Sequence, residues 1–174
     1  MRLPRVTFKA QEFIIWTLFC TAILMVGVIL YLFFVRVVIY RGYSIELEPN
    51  QTFVVGDAVP YIASGYKTQD ILGVVNRYLD CYPGTNTFGN RVTITVETTA
   101  TNSSIGPYRL FNKTFTVHAA EDKRLTLPAT CQIRNTVIFK PNVFHPAVSY
   151  TAMSSYRDSF GKEHPSYFKL INKP

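Results

Sequence analysis

The side chains of this 174-residue sequence that could do acid–base or metal chemistry are three histidines, three cysteines and eleven Asp and Glu residues. His118, His145 and His164 lie far apart in the chain, and His145 and His164 each precede a proline, which suits extended loop backbone. Neither Cys81 nor Cys131 has a second Cys or a His at metal-ligand spacing, so no metal and no cofactor is expected. Asp57, Asp70, Asp80, Asp158 and Glu163 could supply the facing carboxylates of glycoside hydrolysis, but turn and surface roles account for each of them. No G-x-S-x-G, H-E-x-x-H or G-x-x-x-x-G-K-[ST] motif is present. The expectation is a protein that is not an enzyme, with separated histidines and no deep polar pocket.

Two other patterns carry more weight. Cys81 and Cys131 form an isolated pair, most simply a disulfide closing a 50-residue separation. In the chain-entropy account such a loop contributes about 4 kcal/mol; two unrelated buried thiols are the alternative. Around Cys81 cluster Tyr61, Tyr66, Lys67, Arg77, Tyr78 and Tyr82. Tyr and Arg dominate interface hot spots, so this cluster is a candidate interaction surface. The same residues also serve as half-buried strand positions. A free sheet edge offers a second route to a partner, by strand addition.

The element that places this chemistry in a compartment is apolar. From Phe13 to Val35 there is no charge, and the only polar side chains are Thr17 and Thr21. The run exceeds the about 20 residues that cross a bilayer core, and Glu12 and Arg36 close it. The remaining chain cannot easily wrap a helix that is apolar on every face. A signal-peptide core is shorter, about 7–15 residues, and ends on small residues, whereas Val35-Arg36-Val37-Val38-Ile39-Tyr40 follows here. The segment therefore reads as an uncleaved signal anchor. Cys20, inside it, is a small hydrophobe.

Arg2, Arg5 and Lys9 precede the span, while Arg36 and Arg41 follow it. The basic excess favours the N-terminus inside. Trp16 and the pair Tyr40 and Tyr43 are placed for the two membrane interfaces. Set against Glu12 alone, the five flanking cations carry more than half of the net charge of +7. That charge therefore points to lipid headgroups, and no basic run or helix suggests nucleic acid.

Beyond the span, alternation of period two takes over. In the stretch 91–98, Val92, Ile94 and Val96 oppose Thr93, Thr95 and Glu97. Cys131, Ile133, Val137 and Phe139 share a face with Asn135, and Phe115 and Val117 oppose Thr114, Thr116 and His118. Further strands are expected over 44–48, 58–64, 74–80, 148–154 and 167–171, with an irregular crossover or short helical turn over 68–76. Gly56-Asp57, Ser64-Gly65, Pro83-Gly84, Gly89-Asn90, Gly106-Pro107, Pro128, Pro141-Asn142 and Gly161 punctuate them. Short strands so divided predict a mainly β fold: one N-terminal transmembrane helix, then an antiparallel β-sandwich of roughly seven to nine strands, Ig-like in architecture. The buried Trp of antibody-type domains is missing, since Trp16 is the single Trp. The expected organisation is a cytoplasmic tail over 1–12, a span over 13–35, a connector over 36–43 and an extracytoplasmic domain over 44–174. Sequons at Asn50, Asn102 and Asn112 matter only in a eukaryotic host.

The stretches VGDAVPYIASGYKTQDILGVVNRYLDC and LPATCQIRNTVIFKPNVFHPAVSYTAMSS, following a single span, carry a resemblance. The chain resembles small single-pass membrane proteins of tailed bacteriophages and related viruses, in which an anchor precedes an Ig-like extracytoplasmic domain. The matching residues are Gly56, Asp57, Tyr66, Lys67, Val75, Arg77, Pro128 and Cys131; Tyr66 stands where such proteins place a Cys. The resemblance implies location and architecture: an inner-membrane protein with a periplasmic domain. Apart from the resemblance, which implies no activity, the expected role is an anchored interaction module that contacts the lipid bilayer and another envelope or phage protein, or a second copy of itself, in envelope interaction or superinfection exclusion. A structural subunit of a virion or envelope assembly is the second expectation, and an envelope enzyme with a composite site the third.

Overall fold

The computed structural model describes residues 8–34, 38–84, 90–101, 105, 107–119, 122–140 and 147–174. Arg2, Arg5, Arg36, Asn102 and His145 lie outside the described residues, as do the turns expected at Gly89, Gly106 and Pro141-Asn142. The protein is an N-terminal helix and a β domain. Helix α1 spans Phe8–Phe34. Its segment Ala10–Tyr31 is long and apolar enough to cross a membrane, and none of it is buried against protein. Thr17 and Thr21 return their hydroxyls to Phe13 O and Thr17 O, both at 2.8 Å, so neither breaks the apolar surface with an unpaired donor. Trp16 packs edge-on against Phe19.

Among the described residues the β domain holds ten strands: β1 Tyr40–Glu46, β2 Thr52–Val54, β3 Ala58–Lys67, β4 Gly73–Pro83, β5 Val92–Ala100, β6 Arg109–His118, β7 Ala129–Phe139, β8 Val148–Arg157, β9 Glu163–Pro165 and β10 Phe168–Ile171. They form two facing layers joined through β8. One layer runs β6-β3-β1-β8-β9; the other runs β5-β4-β7, with β8 and the pair β10-β2 sharing the far side of β7. Residues 148–153 of β8 pair with β7, and Ser154 and Ser155 pair with β1. Most pairs are antiparallel, with β1–β8 and β2–β10 parallel. The mainly β sandwich read from alternation is the fold observed.

Ser154 sits where β8 changes layer. On that side of β7, pairing with β10 ends at Cys131 and pairing with β8 starts at Arg134, and between them the Ser154 hydroxyl accepts from Ile133 N at 3.1 Å. It also donates to Ser166 O at 2.9 Å. A buried amide left between two ladders is thereby satisfied, which a buried N–H requires. At the β2–β3 turn, Gly56 takes φ 97°, a conformation that disfavours a side chain, and Asp57 accepts from Val54 N through Oδ2 at 2.9 Å.

One sequence-based boundary shifts. β1 starts at Tyr40, inside the stretch read as connector, and Ile39 is fully buried with its carbonyl accepting from Thr68 N. Tyr40 is consequently not a membrane-interface anchor. It packs in an aromatic cluster of the β domain, with ring centroids 5.4 Å from Phe139, 5.5 Å from Phe111 and 5.6 Å from Tyr43. A half-polar ring next to Val-Val-Ile suits either setting, and the strand pairing Tyr40–Lys67 decides it. Arg41 is exposed on the same strand.

Cys81 and Cys131 are bonded and are direct partners in the β4–β7 ladder, with Cα atoms 4.1 Å apart. The bond ties neighbouring strands of one layer. It therefore locks the register of the two central strands, which pair from Gly73–Phe139 to Pro83–Ala129. Changing either cysteine to Ser should cost about 2–5 kcal/mol, read by urea unfolding of the chain. A cost near zero, or three free thiols (Cys20 included) by mass spectrometry of protein from an oxidising compartment, would contradict the bond.

Candidate functional site

A cleft of about 710 Å³ lies between the layers, in the range of small-ligand sites. It overturns the expectation of no deep polar pocket. Its origin is a β-bulge. β4 and β5 pair in one register from Cys81–Val92 to Tyr78–Thr95, then in a register shifted by one from Arg77–Glu97 to Val74–Ala100. Val96 is the extra residue, and every later side chain of β5 changes face. Simple alternation puts Glu97 in solvent; the bulge turns it inward, beside Arg77.

Arg77 and Asn135 are also direct partners, across β4 and β7. The inner face of this layer thus carries a polar row, Asn135–Arg77–Glu97, in an otherwise apolar surface. Arg77 is 9 % exposed and Asn135 2 %. Arg77 donates from Nη1 to Glu97 Oε2 at 2.9 Å and to Thr99 Oγ1 at 2.8 Å, and from Nε to the Tyr61 hydroxyl at 2.9 Å. Its guanidinium lies 5.8 Å from the centre of the Phe115 ring. Hydrogen bonds to a charged group contribute roughly 1.5–3 kcal/mol each, which offsets the desolvation of the buried cation.

The facing layer answers with aromatics. Tyr61 and Phe115 are partners across β3 and β6 and stack at 5.9 Å. Asn135 Nδ2 donates to the Tyr61 hydroxyl at 3.1 Å and, at 3.4 Å, to that of Tyr43. Asn135 Oδ1 is buried without a partner among the described residues. Turning the amide over moves the vacancy to the nitrogen without filling it. Burial pushes Tyr43 up to about 12, with Tyr61 and Tyr40 adding to the rise and Asn135 and Arg77 opposing it. Tyr43 therefore remains a neutral hydroxyl that both donates and accepts.

Lys67, expected at an exposed surface, is 1 % exposed. As the last residue of β3 it points inward and donates from Nζ to Asp70 Oδ1 and to Ile105 O, both at 2.7 Å. It thereby holds the β5–β6 connection at Ile105, which lines one end of the cleft. Of the six candidate interface residues the structure brings Tyr61 and Arg77 together, both buried. Tyr66, Tyr78 and Tyr82 are half-buried elsewhere. A single exposed patch made of all six does not exist, because alternation sends Tyr61 and Arg77 inward and Tyr78 outward. The residues sequence reasoning missed are Glu97, hidden by the bulge, and Asn135 and Tyr43. A polar Asn135 on an apolar strand face was the available signal.

A second charged cluster sits on the outer face beside the disulfide. Asp80 is fully buried under Arg134, which donates from Nε at 2.8 Å and Nη2 at 3.2 Å, and Thr93, which donates at 2.7 Å. Arg134 in turn stacks 4.3 Å over the Tyr78 ring. Of the remaining histidines, His118 is exposed and lines the cleft, while His164 bonds Asp158 at 2.9 Å and stacks on Tyr156. Among the described residues no three His, Cys, Asp or Glu side chains converge to hold a metal ion. The chain matches no protein-family model and no curated protein sequence. The cleft offers one neutralised charge row, several hydroxyls and an aromatic wall.

Burial by itself raises the Asp80 carboxyl, but the bonds from Arg134 and Thr93 and the charges of Arg134 and Arg91 outweigh it and hold Asp80 below the usual carboxylate range. A folded value below the unfolded one adds stability that is complete above about pH 4 and is lost as pH falls through the folded value. Between pH 6 and pH 3 the native chain should lose more unfolding free energy than Asp80→Asn. At pH 6 that variant should be less stable by roughly 3 kcal/mol, the low end for opening one side of a buried pair because Arg134 keeps some solvent contact. Equal pH slopes in the two proteins would contradict the assignment.

Proposed function

We propose that this chain is a signal-anchored, single-pass protein of a bacterial inner membrane that displays a non-catalytic β-sandwich interaction module on the periplasmic side. The carrying observation is the join of two features: an apolar helix long enough to cross a membrane, and a β domain stapled by a disulfide. A disulfide belongs to an oxidising compartment, which the periplasm is and the cytoplasm is not. The basic residues Arg2, Arg5 and Lys9 support an N-terminus inside. Glu97, the carboxylate nearest the floor of the cleft, is engaged by Arg77, which supports binding over acid–base work. The motif residues from Gly56 to Cys131 support a phage-encoded protein acting on envelope components, as in envelope interaction or superinfection exclusion. Its partners are then the bilayer and one envelope or phage protein, or a second copy.

Topology tests this reading. With Cys20 changed to Ser, a membrane-impermeant thiol reagent should label an engineered cysteine at Lys162 in intact spheroplasts, and should label one at Thr7 only after lysis. The opposite pattern would place the β domain in the cytoplasm and end the proposal.

A further inference from the structure

We propose that the cleft is completed by an extended segment of a partner protein, added as a strand to the free edge of β6. This deepens the reading of the domain as an interaction module and rests on it. β6 pairs with β3 over ten consecutive positions, from Ala58–His118 to Lys67–Arg109, without a register shift. Among the described residues no strand pairs with its other edge. In an antiparallel ladder alternate residues turn both N–H and C=O away, so roughly five residues of β6 present unused backbone groups.

That edge opens on the cleft. Inward alternation brings Phe111, Phe115 and Val117 to the interior, yet Thr114, Thr116 and His118 also line the cleft. Phe111 and Phe115 therefore share the lining with Thr114, Thr116 and His118, so residues of both alternations of β6 border the cavity. The opposite margin is β5, which pairs with β4 alone and contributes Glu97, Thr99 and Ala100. The cleft is therefore bordered by the two edge strands, which come close to each other at a few positions.

The edges differ in protection. Natural sheets guard free edges with bulges, prolines or charged side chains, because a regular edge is a template for another chain. β5 carries the bulge at Val96, whereas β6 has neither a bulge nor a proline across Arg109–His118 and carries only the charges of Arg109 and Lys113. The edge next to the cleft is thus the more regular of the two. A strand added there sends alternate side chains into the cleft, toward Tyr61 and Phe115, and the others out beside Leu110, which is 82 % exposed. Arg77 is already neutralised by Glu97. The inward positions therefore take uncharged side chains, and the occupant is an extended segment with alternating uncharged residues.

The test uses the full chain in detergent micelles and a random library of acetylated, amidated nonapeptides. Enriched peptides should be uncharged at alternate positions. They should slow exchange of alternate backbone amides over 110–118 by about tenfold or more. Methylating the peptide nitrogens on one edge should weaken binding at least about tenfold, about 1.4 kcal/mol. The proposal fails if no peptide is enriched, if protection falls outside β6, or if N-methylation has no effect. It also fails if maltotriose or chitotriose, added as non-peptide probes, protect β6 in place of peptides. A correct topology result with any of these failures removes strand addition and leaves the anchored module standing.

Discussion

Where the charge of Arg77 goes decides the interior of the β domain. A guanidinium on the inner face of a sandwich must find a counter-charge and acceptors or be expelled. Here Glu97, Thr99 and Tyr61 supply them. Glu97 can do so only because the bulge at Val96 turns it through one face. That turn puts a charged group on the cleft side of β5. The two layers meet through the bond from Asn135 to Tyr61 and the packing of Arg77 on Phe115. The bulge, the Arg77–Glu97 ion pair and the cleft are one arrangement.

The rest of the domain is built to hold that arrangement still. The disulfide fixes β4 against β7, the two strands that carry Arg77 and Asn135 as partners. On the reverse of the same layer, Asp80 is clamped by Arg134 and Thr93, joining β4 to β7 and to β5. Lys67 ties the end of β3 to the connection at Ile105. Rigid support beneath the cleft is what the proposed interaction module would need, since a preformed surface lowers the ordering cost of association.

Much of the fold was legible because its signals are local. The apolar run from Phe13 to Val35 could only be a lone helix, and the alternation of 131–139 placed Cys131, Ile133, Val137 and Phe139 inside, as found. The pairing of Cys81 with Cys131 followed from their isolation. The cleft was not legible, for a physical reason: a one-residue bulge inverts alternation, and nothing in Thr95-Val96-Glu97 announces it. Lys67 and Tyr40 misled for a different reason. Both have a polar tip on a long apolar body, and a strand partner, not composition, decides whether such a side chain is buried. The same holds for Tyr61 and Arg77, whose types suggest an interface and whose alternation makes them interior.

A double-mutant cycle between Arg77 and Glu97 tests the central claim most directly. Arg77→Met, Glu97→Gln and the double variant would be compared with the native chain by pulse proteolysis in urea, using the full protein in detergent. If the bulge exists to bring Glu97 to Arg77, the two substitutions should couple by about 1–3 kcal/mol, with the double variant less damaged than the sum of the singles. Additivity within about 0.5 kcal/mol would show that Glu97 does not face Arg77, and would contradict the account of the cleft built on that contact.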